Sequence, residues 1–247
     1  MAQNVIEVAD DVFLGRGTDV NWILLRDGDA VTLIDAGYPG DAGRLEASLR
    51  ALGRRPEDVR AILLTHAHID HLGGAAQLAR RYGTPVYTDA REAAHVRREH
   101  LEQAGPMDLA ANLWRPTLWP WLGRVLRVGA AKNARIPSAQ PFAASGALDL
   151  PGRPVPVPTR GHTSGHTAYH LPDVGAVVTG DELVTGHAVT GHVGPHTLPA
   201  FFNSGDPVTA LAAIETLDAD LVLPGHGDAL RRPIAEAVAE ARDHARR

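Results

Sequence analysis

Short runs of aliphatic and β-branched residues, separated by turn residues, occupy the first 35 positions of the chain. Asp27, Gly28 and Asp29 form one of these separators, and such residues favour turns over strands. Short strands joined by tight turns are typical of an antiparallel meander. The pattern predicts strands at residues 5–8, 12–14, 22–26 and 30–35.

The period of the apolar positions changes after residue 41. Leu45, Leu49 and Leu52 recur at helical spacing and Gly53 follows as a stop signal, so a helix with one buried stripe is predicted there. Predicted strands and helices then alternate, with a strand at 59–65, a helix at 74–82, a strand at 85–88 and a helix from 90.

The second half of the chain repeats this mixture. Asp206 with Pro207 is typical of a helix start, and Pro233 opens a last helix. Strand runs followed by helices, twice over, predict two β-rich layers covered by helices. No linker or internal repeat divides the chain, so we predict a single domain over residues 1–247. The strand patterns of this half lie at 154–159, 167–171, 176–179 and 220–223.

Composition limits the classes of protein to be considered. With 247 residues, 44% apolar and 21% charged, the chain is typical of a globular protein. The absence of cysteine excludes disulfides, thiolate metal ligands and a cysteine nucleophile. A net charge of -5 predicts no general attraction to nucleic acid or to anionic membranes. The acidic start of the chain does not resemble a signal peptide, and no run reaches the about 18 apolar residues of a spanning helix, so a cytoplasmic location is predicted.

Histidine is in excess, with 13 in the chain. Four potential metal ligands, His66, His68, Asp70 and His71, fall within six residues directly after the predicted strand at 59–65. A turn would let all four converge, and neutral imidazoles with a carboxylate suit zinc, and also iron or manganese. A solvated histidine-rich loop is the alternative interpretation.

Three later segments offer matching partners. His162, Asp181 and His226 each follow a predicted strand and lie beside glycine, which permits tight turns and close backbone approach. Alone, each signal is weak, because a strand-end aspartate is more often a helix cap and a Gly-His pair more often a turn. Together they supply partners for the His-Ala-His-Ile-Asp-His segment.

These motifs resemble, in order and from Asp35 to His226, those of the metallo-β-lactamase superfamily. The resemblance implies an α/β fold, the four-layer αββα sandwich, in which two mixed sheets are flanked by helices and the site lies at strand ends between the sheets. It implies two divalent metal ions, zinc first, with iron or manganese as alternatives. It assigns His66, His68 and His162 to the first metal site, Asp70, His71 and His226 to the second, and Asp181 to a bridge between them.

The resemblance also gives roles to residues around the ligands. Asp35 matches the family's early aspartate, which supports the ligands without binding metal. His166 is expected to have a supporting or structural role, because the family's ligand is the first histidine of the Gly-His-Thr-x-Gly-His stretch. Two ions would lower the pKa of a bridging water, present hydroxide at neutral pH and polarise a scissile carbonyl, sulfonyl or phosphoryl oxygen, with Asp70 as the catalytic residue that orients the nucleophile.

The presence of Asp181 and the lack of cysteine narrow the range of expected substrates. The pattern resembles glyoxalase II and the acyl-homoserine lactonases more than the β-lactamases, so an ester, lactone or thioester of a small molecule is expected. Only about 20 residues follow His226, which counts against glutathione thioesters. The inserted domain or basic arm usual in nuclease members is not evident. A β-lactamase, a mononuclear iron enzyme similar to the persulfide dioxygenases, and a non-catalytic metal-binding module are the alternatives.

An unusual stretch at residues 108–149 has no acid between its ends and holds three of the four tryptophans. Trp119 and Trp121 would pack acyl or aromatic groups, with arginines pairing to an acidic substrate. An amphipathic helix packed on the core, or on a second copy in a homodimer, is an equal alternative. The basic residues of the stretch are Arg115, Arg124, Arg127, Lys132 and Arg135.

A second candidate for the substrate pocket follows Asp181. The loop that carries His187, His192 and His196 would line the pocket and supply an acid for the leaving group; an ordinary surface loop is the equal alternative. No tyrosine is assigned to that role from the sequence.

Overall fold

A computed structural model describes residues 5–142 and 146–246 of the chain. Residues 1–4 and residues 143–145, which belong to the tryptophan-containing stretch at 108–149, lie outside the described residues. Within the described part, no helix is both long and apolar enough to cross a membrane.

The first sheet contains the predicted meander. Its first four strands pair antiparallel in sequence order, and its last three continue the sheet in parallel. The parallel part arises because a helix-containing connection precedes each of these strands. The strands are β1 (Val5–Ala9), β2 (Val12–Arg16), β3 (Asn21–Asp27), β4 (Ala30–Ile34), β5 (Val59–Leu63), β6 (Val86–Thr88) and β7 (Gln140–Pro141).

The second sheet has five strands in the order β14-β13-β10-β9-β8, and only β10 and β13 run parallel. A separate antiparallel pair, β11 with β12, leaves the end of β10. The strands are β8 (Val155–Pro158), β9 (Thr167–Leu171), β10 (Ala176–Gly180), β11 (Val184–Gly186), β12 (Val193–His196), β13 (Leu221–Pro224) and β14 (Leu230–Arg231).

Helices cover both sheets and fill the connections. The helix predicted from residue 74 begins earlier, inside the histidine motif, and the helix predicted from Asp206 is divided at Leu211 into two short pieces. The helices are α1 (Ala42–Ala51), α2 (Ile69–Tyr82), α3 (Ala93–Val96), α4 (Pro106–Ala111), α5 (Leu118–Arg127), α6 (Pro207–Ala210), α7 (Ala212–Glu215) and α8 (Ile234–Ala245).

Three apolar clusters bind the layers together. The first packs α1 and α2 on the outer face of the first sheet and includes Leu45 and Leu49 of α1 and Leu33 of β4. The second lies between the sheets and includes Leu63 and Tyr169. A third packs α7 and α8 on the second sheet. The order helix, sheet, sheet, helix confirms the αββα prediction.

The strand ends bring the predicted motifs together. Strands β4 and β5 are parallel neighbours in one sheet, and β10 and β13 are parallel neighbours in the other. Because the carboxyl ends of parallel strands meet at one edge, the segments that follow them share that edge. A cross-link between the sheets fixes this arrangement: the Asn21 side chain donates hydrogen bonds to the carbonyls of Pro224 (3.0 Å) and Gly227 (2.8 Å).

Candidate metal centre

The first group of potential ligands consists of His66, His68, His162 and Asp181. One ligand atom from each lies within 4.8 Å of all the others, and all four residues are buried. His162 Nε2 is 3.0 Å from His68 Nδ1 and 3.6 Å from Asp181 Oδ2. Three imidazoles and a carboxylate thus surround one point.

The second group consists of Asp70, His71 and His226, whose ligand atoms meet the same 4.8 Å limit. His226 Nε2 is 3.5 Å from Asp70 Oδ2. Asp181 faces this group as well, with Oδ1 3.3 Å from His71 Nε2 and Oδ2 3.1 Å from His226 Nε2. The structure therefore brings the seven predicted ligands together and places Asp181 between the two groups.

Local backbone geometry explains how six consecutive residues supply four of these side chains. His66 follows β5, His68 is the extended residue before α2, and Asp70 and His71 lie in the first turn of α2. On the opposite side, Gly225 leaves no room for a side chain, because an added Cβ would lie 2.3 Å from Asp181 Oδ1. The glycine beside His226 is therefore required by the close approach of the backbone to the site.

The outward nitrogen of each imidazole is held by a hydrogen bond, which leaves the other nitrogen facing the centre. His71 Nδ1 donates to Asp35 Oδ2 (2.8 Å) and His162 Nδ1 to Asn203 Oδ1 (2.7 Å). His68 is reversed: its Nε2 donates to the Glu102 carbonyl (2.6 Å), so Nδ1 faces inward. Such outer hydrogen bonds fix the tautomer and the direction of metal-binding histidines.

The two remaining imidazoles follow the same rule. His226 Nδ1 donates to the carbonyl of Asp19. His66 Nδ1 donates to Thr65 Oγ1 at 3.0 Å, and that hydroxyl donates to Asp35 Oδ2 at 2.7 Å. Asp35 therefore orients His71 directly and His66 through Thr65, without reaching the centre itself.

The inward atoms fit a divalent cation. Among the described residues, His66 Nε2, His71 Nε2 and Asp181 Oδ1 are buried side-chain atoms without a hydrogen-bond partner. Buried polar atoms are rarely left unpaired, and a group of nitrogen and oxygen donors around one point is the ligand chemistry of zinc, iron and manganese. The donor set thus fits metal ions.

The charges agree with this fit. Burial lowers the pKa values of His66, His68 and His162, so these imidazoles are neutral and able to bind a cation. At His71, burial also lowers the pKa, but the nearby carboxylates, Asp181 foremost, outweigh it and raise the pKa well above the usual value. Carboxylates that retain a proton on a buried imidazole would equally attract a metal cation.

His166 lies behind the bridging carboxylate. Its Nδ1 donates to Thr159 Oγ1 (2.7 Å), and its Nε2 accepts from the backbone N–H of Asp181 (3.2 Å). Both ring nitrogens are thus used within the protein, and burial lowers the pKa of His166 to about 4. The structure thus places His166 in contact with the backbone of the potential ligand Asp181, and its supporting role stays a prediction.

Sequence reasoning missed a buried carboxylate that joins the two ligand loops. Glu92 accepts hydrogen bonds from Ala67 N (2.8 Å), Thr163 Oγ1 (2.8 Å) and Gly165 N (3.0 Å). Its fourth contact is His95 Nδ1, at 2.8 Å. Nothing in the sequence around Glu92 distinguishes it from a helix-start acid, so only the folded chain identifies this clamp.

The centre opens into a cavity of about 260 Å³ with mostly apolar walls. Trp121, Leu122, Val125 and Leu126 of α5 form one side. Apart from the predicted ligands, the polar side chains of the described lining are those of Tyr38, Gln103 and His187, and no arginine or lysine is among them. Further apolar contacts come from Ile69, Pro106, Leu109, Leu198 and Phe202.

The residues predicted for the substrate pocket divide into two sets. Trp121 and His187 line the cavity, with ring centroids 6.1 Å apart. Trp119 does not: it is 55% exposed and its indole N–H donates to the Leu113 carbonyl at 3.1 Å. The two tryptophans are two positions apart on α5, so they point to different faces.

His192 and His196 also lie away from the cavity, which corrects the prediction that they line it. The β11–β12 pair packs against α8, and the His192 ring stacks on His244 with centroids 4.1 Å apart. His196 contacts Thr190 Oγ1 (3.0 Å) and the Gly194 carbonyl (2.8 Å). The turn between β11 and β12 directs both rings toward α8.

The chain belongs to the metallo-β-lactamase superfamily, whose sequence model matches residues 15–226. Members of this superfamily are metal-dependent hydrolases, and this chain carries a His/Asp metal-binding cluster of the expected kind.

Relatives with assigned names differ in activity. A probable metallo-hydrolase of Bacillus subtilis, YflN, is 26% identical over 205 residues, covering 79% of this chain and 74% of that protein. A hydroxyacylglutathione hydrolase of Cereibacter sphaeroides is 32% identical over 136 residues, 55% of this chain and 38% of that protein. The exodeoxyribonuclease WalJ of Streptococcus pneumoniae is 36% identical over 95 residues, 38% of this chain, and the match spans about a third (34%) of that nuclease's length.

Solved structures show the same fold. A metallo-β-lactamase of Cronobacter sakazakii superposes with a TM-score of 0.68 at 21% identity, covering 99% of this chain and 93% of that one. A metallo-β-lactamase family protein of Thermus thermophilus gives a TM-score of 0.66 at 26% identity, covering 92% and 74%.

Proposed function

We propose that the protein is a dinuclear metal-dependent hydrolase that cleaves an ester, lactone or thioester bond of a small molecule with an apolar acyl group. This proposal rests on one observation. The two ligand groups, with Asp181 between them, lie at a cavity whose wall is formed by apolar side chains of α5. A relative named as a hydroxyacylglutathione hydrolase, which matches 55% of this chain, supports a small acyl substrate.

The chemistry is divided between the ions and the chain. Two divalent ions, zinc first, would polarise the scissile carbonyl and lower the pKa of the attacking water. Asp70 lies at the cavity, and its Oδ2 is 3.5 Å from His226 Nε2 and 3.8 Å from His71 Nε2. It is therefore placed to orient the nucleophile as well as to bind metal.

His187 has the properties of a hydrogen-bond donor rather than of an acid. Burial lowers its pKa to about 3, so the ring is neutral at physiological pH. Its Nδ1 accepts from the backbone N–H of Val189 (3.2 Å), which requires the single proton to be on Nε2. A fixed N–H group beside the ligand His226 would hold a substrate oxygen, and the expected role of His187 as leaving-group acid is replaced by this one.

Tyr38 is the better candidate for the leaving-group proton. It is 3% exposed and lines the cavity, three residues after Asp35 in the connection that follows β4. Burial raises its pKa well above the usual value, and the charge of Asp70 adds to this effect, so the phenol keeps its proton at neutral pH. A protonated hydroxyl group at the cavity wall can donate to an alkoxide or thiolate as it leaves.

The cavity does not favour a nucleic acid substrate. Phosphodiester backbones are bound chiefly through lysine and arginine, and neither is present among the described lining residues. The nuclease among the relatives matches only 38% of this chain. The lining thus gives more support to a small acyl substrate than to DNA.

The proposal is tested by loading the protein with zinc, manganese or iron and assaying matched panels of lactones, thioesters, esters, sulfate esters, phosphodiesters and β-lactams. We expect hydrolysis of the ester, lactone or thioester panel, with two equivalents of metal by elemental analysis. His68→Ala and Asp181→Ala should lose metal and activity together, because each removes an inward donor.

Two results would contradict the proposal. Full turnover with one equivalent of metal would exclude the dinuclear mechanism, and oxygen consumption with a persulfide substrate would support the mononuclear iron alternative. His170→Ala is the matched control, because this histidine lies on β9 with its Nε2 3.1 Å from the Asp218 carbonyl, away from both ligand groups.

A further inference from the structure

A second cavity, here called the basic groove, lies between the outer face of α2 and the segment 132–138. It has a volume of about 670 Å³. Gln77 and Arg80 line it from α2, and Lys132, Asn133, Arg135 and Ser138 line it from the facing segment. This volume is within the usual range of small-molecule sites, about 300–1,000 Å³.

The charge of the basic groove differs from that of the whole protein. The chain has a net charge of -5, yet three cations and no carboxylate are among the described residues that line this cavity. Lys132 and Arg135 come from the acid-free stretch noted in the sequence, and Arg80 comes from α2. The lining of this cavity is thus positively charged although the protein as a whole is acidic.

None of the three cationic side chains forms an ion pair or hydrogen bond with another described residue. The neighbour of Arg80 shows the contrast: Arg81 Nη1 is 3.0 Å from Glu46 Oε1. Arg124, in the same acid-free stretch, pairs with Asp19 at 2.7 Å. Arg81 and Arg124 are therefore paired with carboxylates, whereas the three cations that line the basic groove are not paired with any described carboxylate.

The segment that carries these donors is anchored at both ends. The Lys132 backbone N–H donates to the Gly129 carbonyl (2.9 Å), and Ile136 N–H donates to the Val96 carbonyl (3.2 Å). Between these anchors, Arg98 Nε donates to the Ala134 carbonyl (2.8 Å). The charged side chains thus project from a backbone that is already held in place, which reduces the entropy cost of binding a ligand.

We propose that the basic groove is an anion site for a phosphate-bearing small molecule with at least two negative charges. Guanidinium groups bind phosphate oxygens in pairs, and a lysine adds a point charge. Asn133 and Ser138 supply further polar groups within the same lining. Three cations without a carboxylate match a diphosphate group more closely than a single carboxylate.

The basic groove adjoins the metal cavity through consecutive residues. Tyr38 lines the metal cavity and Pro39 the basic groove; Ala131 lines the metal cavity and Lys132 the basic groove. The phosphate could therefore belong to the leaving group of the substrate or to a separate ligand. The first source rests on the proposed hydrolase function, whereas the anion site itself does not.

Lys132 allows a direct test because it is the only lysine in the chain. The metal-loaded protein is treated with an amine-reactive ester, and modification of Lys132 is followed by peptide mass spectrometry in the presence of ADP or inorganic phosphate. We expect saturable protection by ADP, weaker protection by phosphate and none by potassium chloride at equal ionic strength. Absence of saturable protection would overturn the proposal.

Two variants and a matched control assign the effect to the basic groove. Arg80→Gln and Arg135→Gln should each raise the ADP concentration needed for half protection by about tenfold or more, since each removes a charge-assisted hydrogen bond. Arg81→Gln, one residue away but paired with Glu46, should leave it unchanged. Equal weakening by all three variants would reduce the effect to general charge and overturn the site. Protection by a single-stranded DNA oligomer below the ADP concentration would overturn it as well, by assigning the surface to nucleic acid.

The source of the phosphate is found with two thioesters that share an acyl group, one with a phosphorylated thiol and one without. If the phosphate belongs to the substrate, Arg135→Gln raises KM for the phosphorylated thioester alone; if it belongs to a separate ligand, neither KM changes while ADP protection persists. Both results support the site. Failure of the hydrolase proposal is recognised separately, as no turnover of either thioester with ADP protection intact.

Discussion

The metal centre and the wall of its cavity are built on opposite principles. The ligands lie in the segments that follow strands of both sheets, and the outward nitrogen of each imidazole is held by a hydrogen bond. The wall comes largely from α4, α5 and the 198–202 segment, and it makes apolar contacts with few hydrogen bonds. We infer that the ligands at the strand ends determine the reaction, whereas the side chains of the wall determine which substrate fits.

The largest effect is expected when the hydrogen bond between the cavity wall and the metal centre is removed. Asn203 lies beside the wall but holds His162 Nδ1 at 2.7 Å, so Asn203→Ala should behave as a metal-centre variant and lower metal affinity or activity about 10- to 100-fold. Metal titration and kcat measure the effect. Asn203→Asp retains an acceptor oxygen and should restore most of the affinity; equal loss in both variants would show that Asn203 acts through the loop backbone and not through the imidazole.

A smaller, selective effect is expected in the wall. Trp121→Ala removes an apolar side chain from the cavity and should raise KM about tenfold for long acyl groups and less for short ones, with metal content unchanged. Trp119→Ala is the matched control: this side chain is exposed on the other face of α5, and its loss should change KM by less than about twofold. Metal loss in Trp121→Ala would mean that wall and centre are not separable.

The smallest effect is expected for His196, which lies outside both the metal centre and the cavity wall. Burial lowers the pKa of His196 to about 4, so between about pH 6.5 and 4 the unfolded chain binds a proton that the folded chain does not. This part of the stability is present above pH 6.5 and is lost as the pH falls toward 4. His196→Asn should therefore flatten the acid side of the thermal stability curve, measured with chelator present throughout so that metal loss does not contribute. Parallel curves for the two proteins would contradict this assignment.

The potential ligands could be predicted from the sequence because they follow strands and lie beside glycine or within one short motif. Of the residues that hold them, Asp35 could be predicted through the family resemblance, whereas Glu92 and Asn203 could not be predicted. Glu92 and Asn203 act at distances of 71 and 41 residues along the chain from Thr163 and His162, and single polar residues carry no periodic signal of such contacts. Tertiary contacts alone select them.

For the wall, the region could be predicted from the sequence, but the residues that face the cavity could not. The tryptophan content predicted a pocket wall within residues 108–149. Which tryptophan faces the cavity depends on the rotation of α5 about its axis, which is determined by the packing of Leu118 and Val125. The same holds for the histidines after Asp181, where the turn between β11 and β12 separates His187 from His192. Composition thus indicates the region of the wall, whereas packing determines which of its residues face the cavity.

The order of the ligands along the chain has a consequence for how the protein is made. Four of the seven precede residue 72, whereas His162, Asp181 and His226 come from the second half. A ribosome must therefore synthesise the chain as far as the segment after β13 before all seven potential ligands can meet. Binding of metal by the complete ligand set would then be a late event in biogenesis, and it would join the two sheets at their common edge.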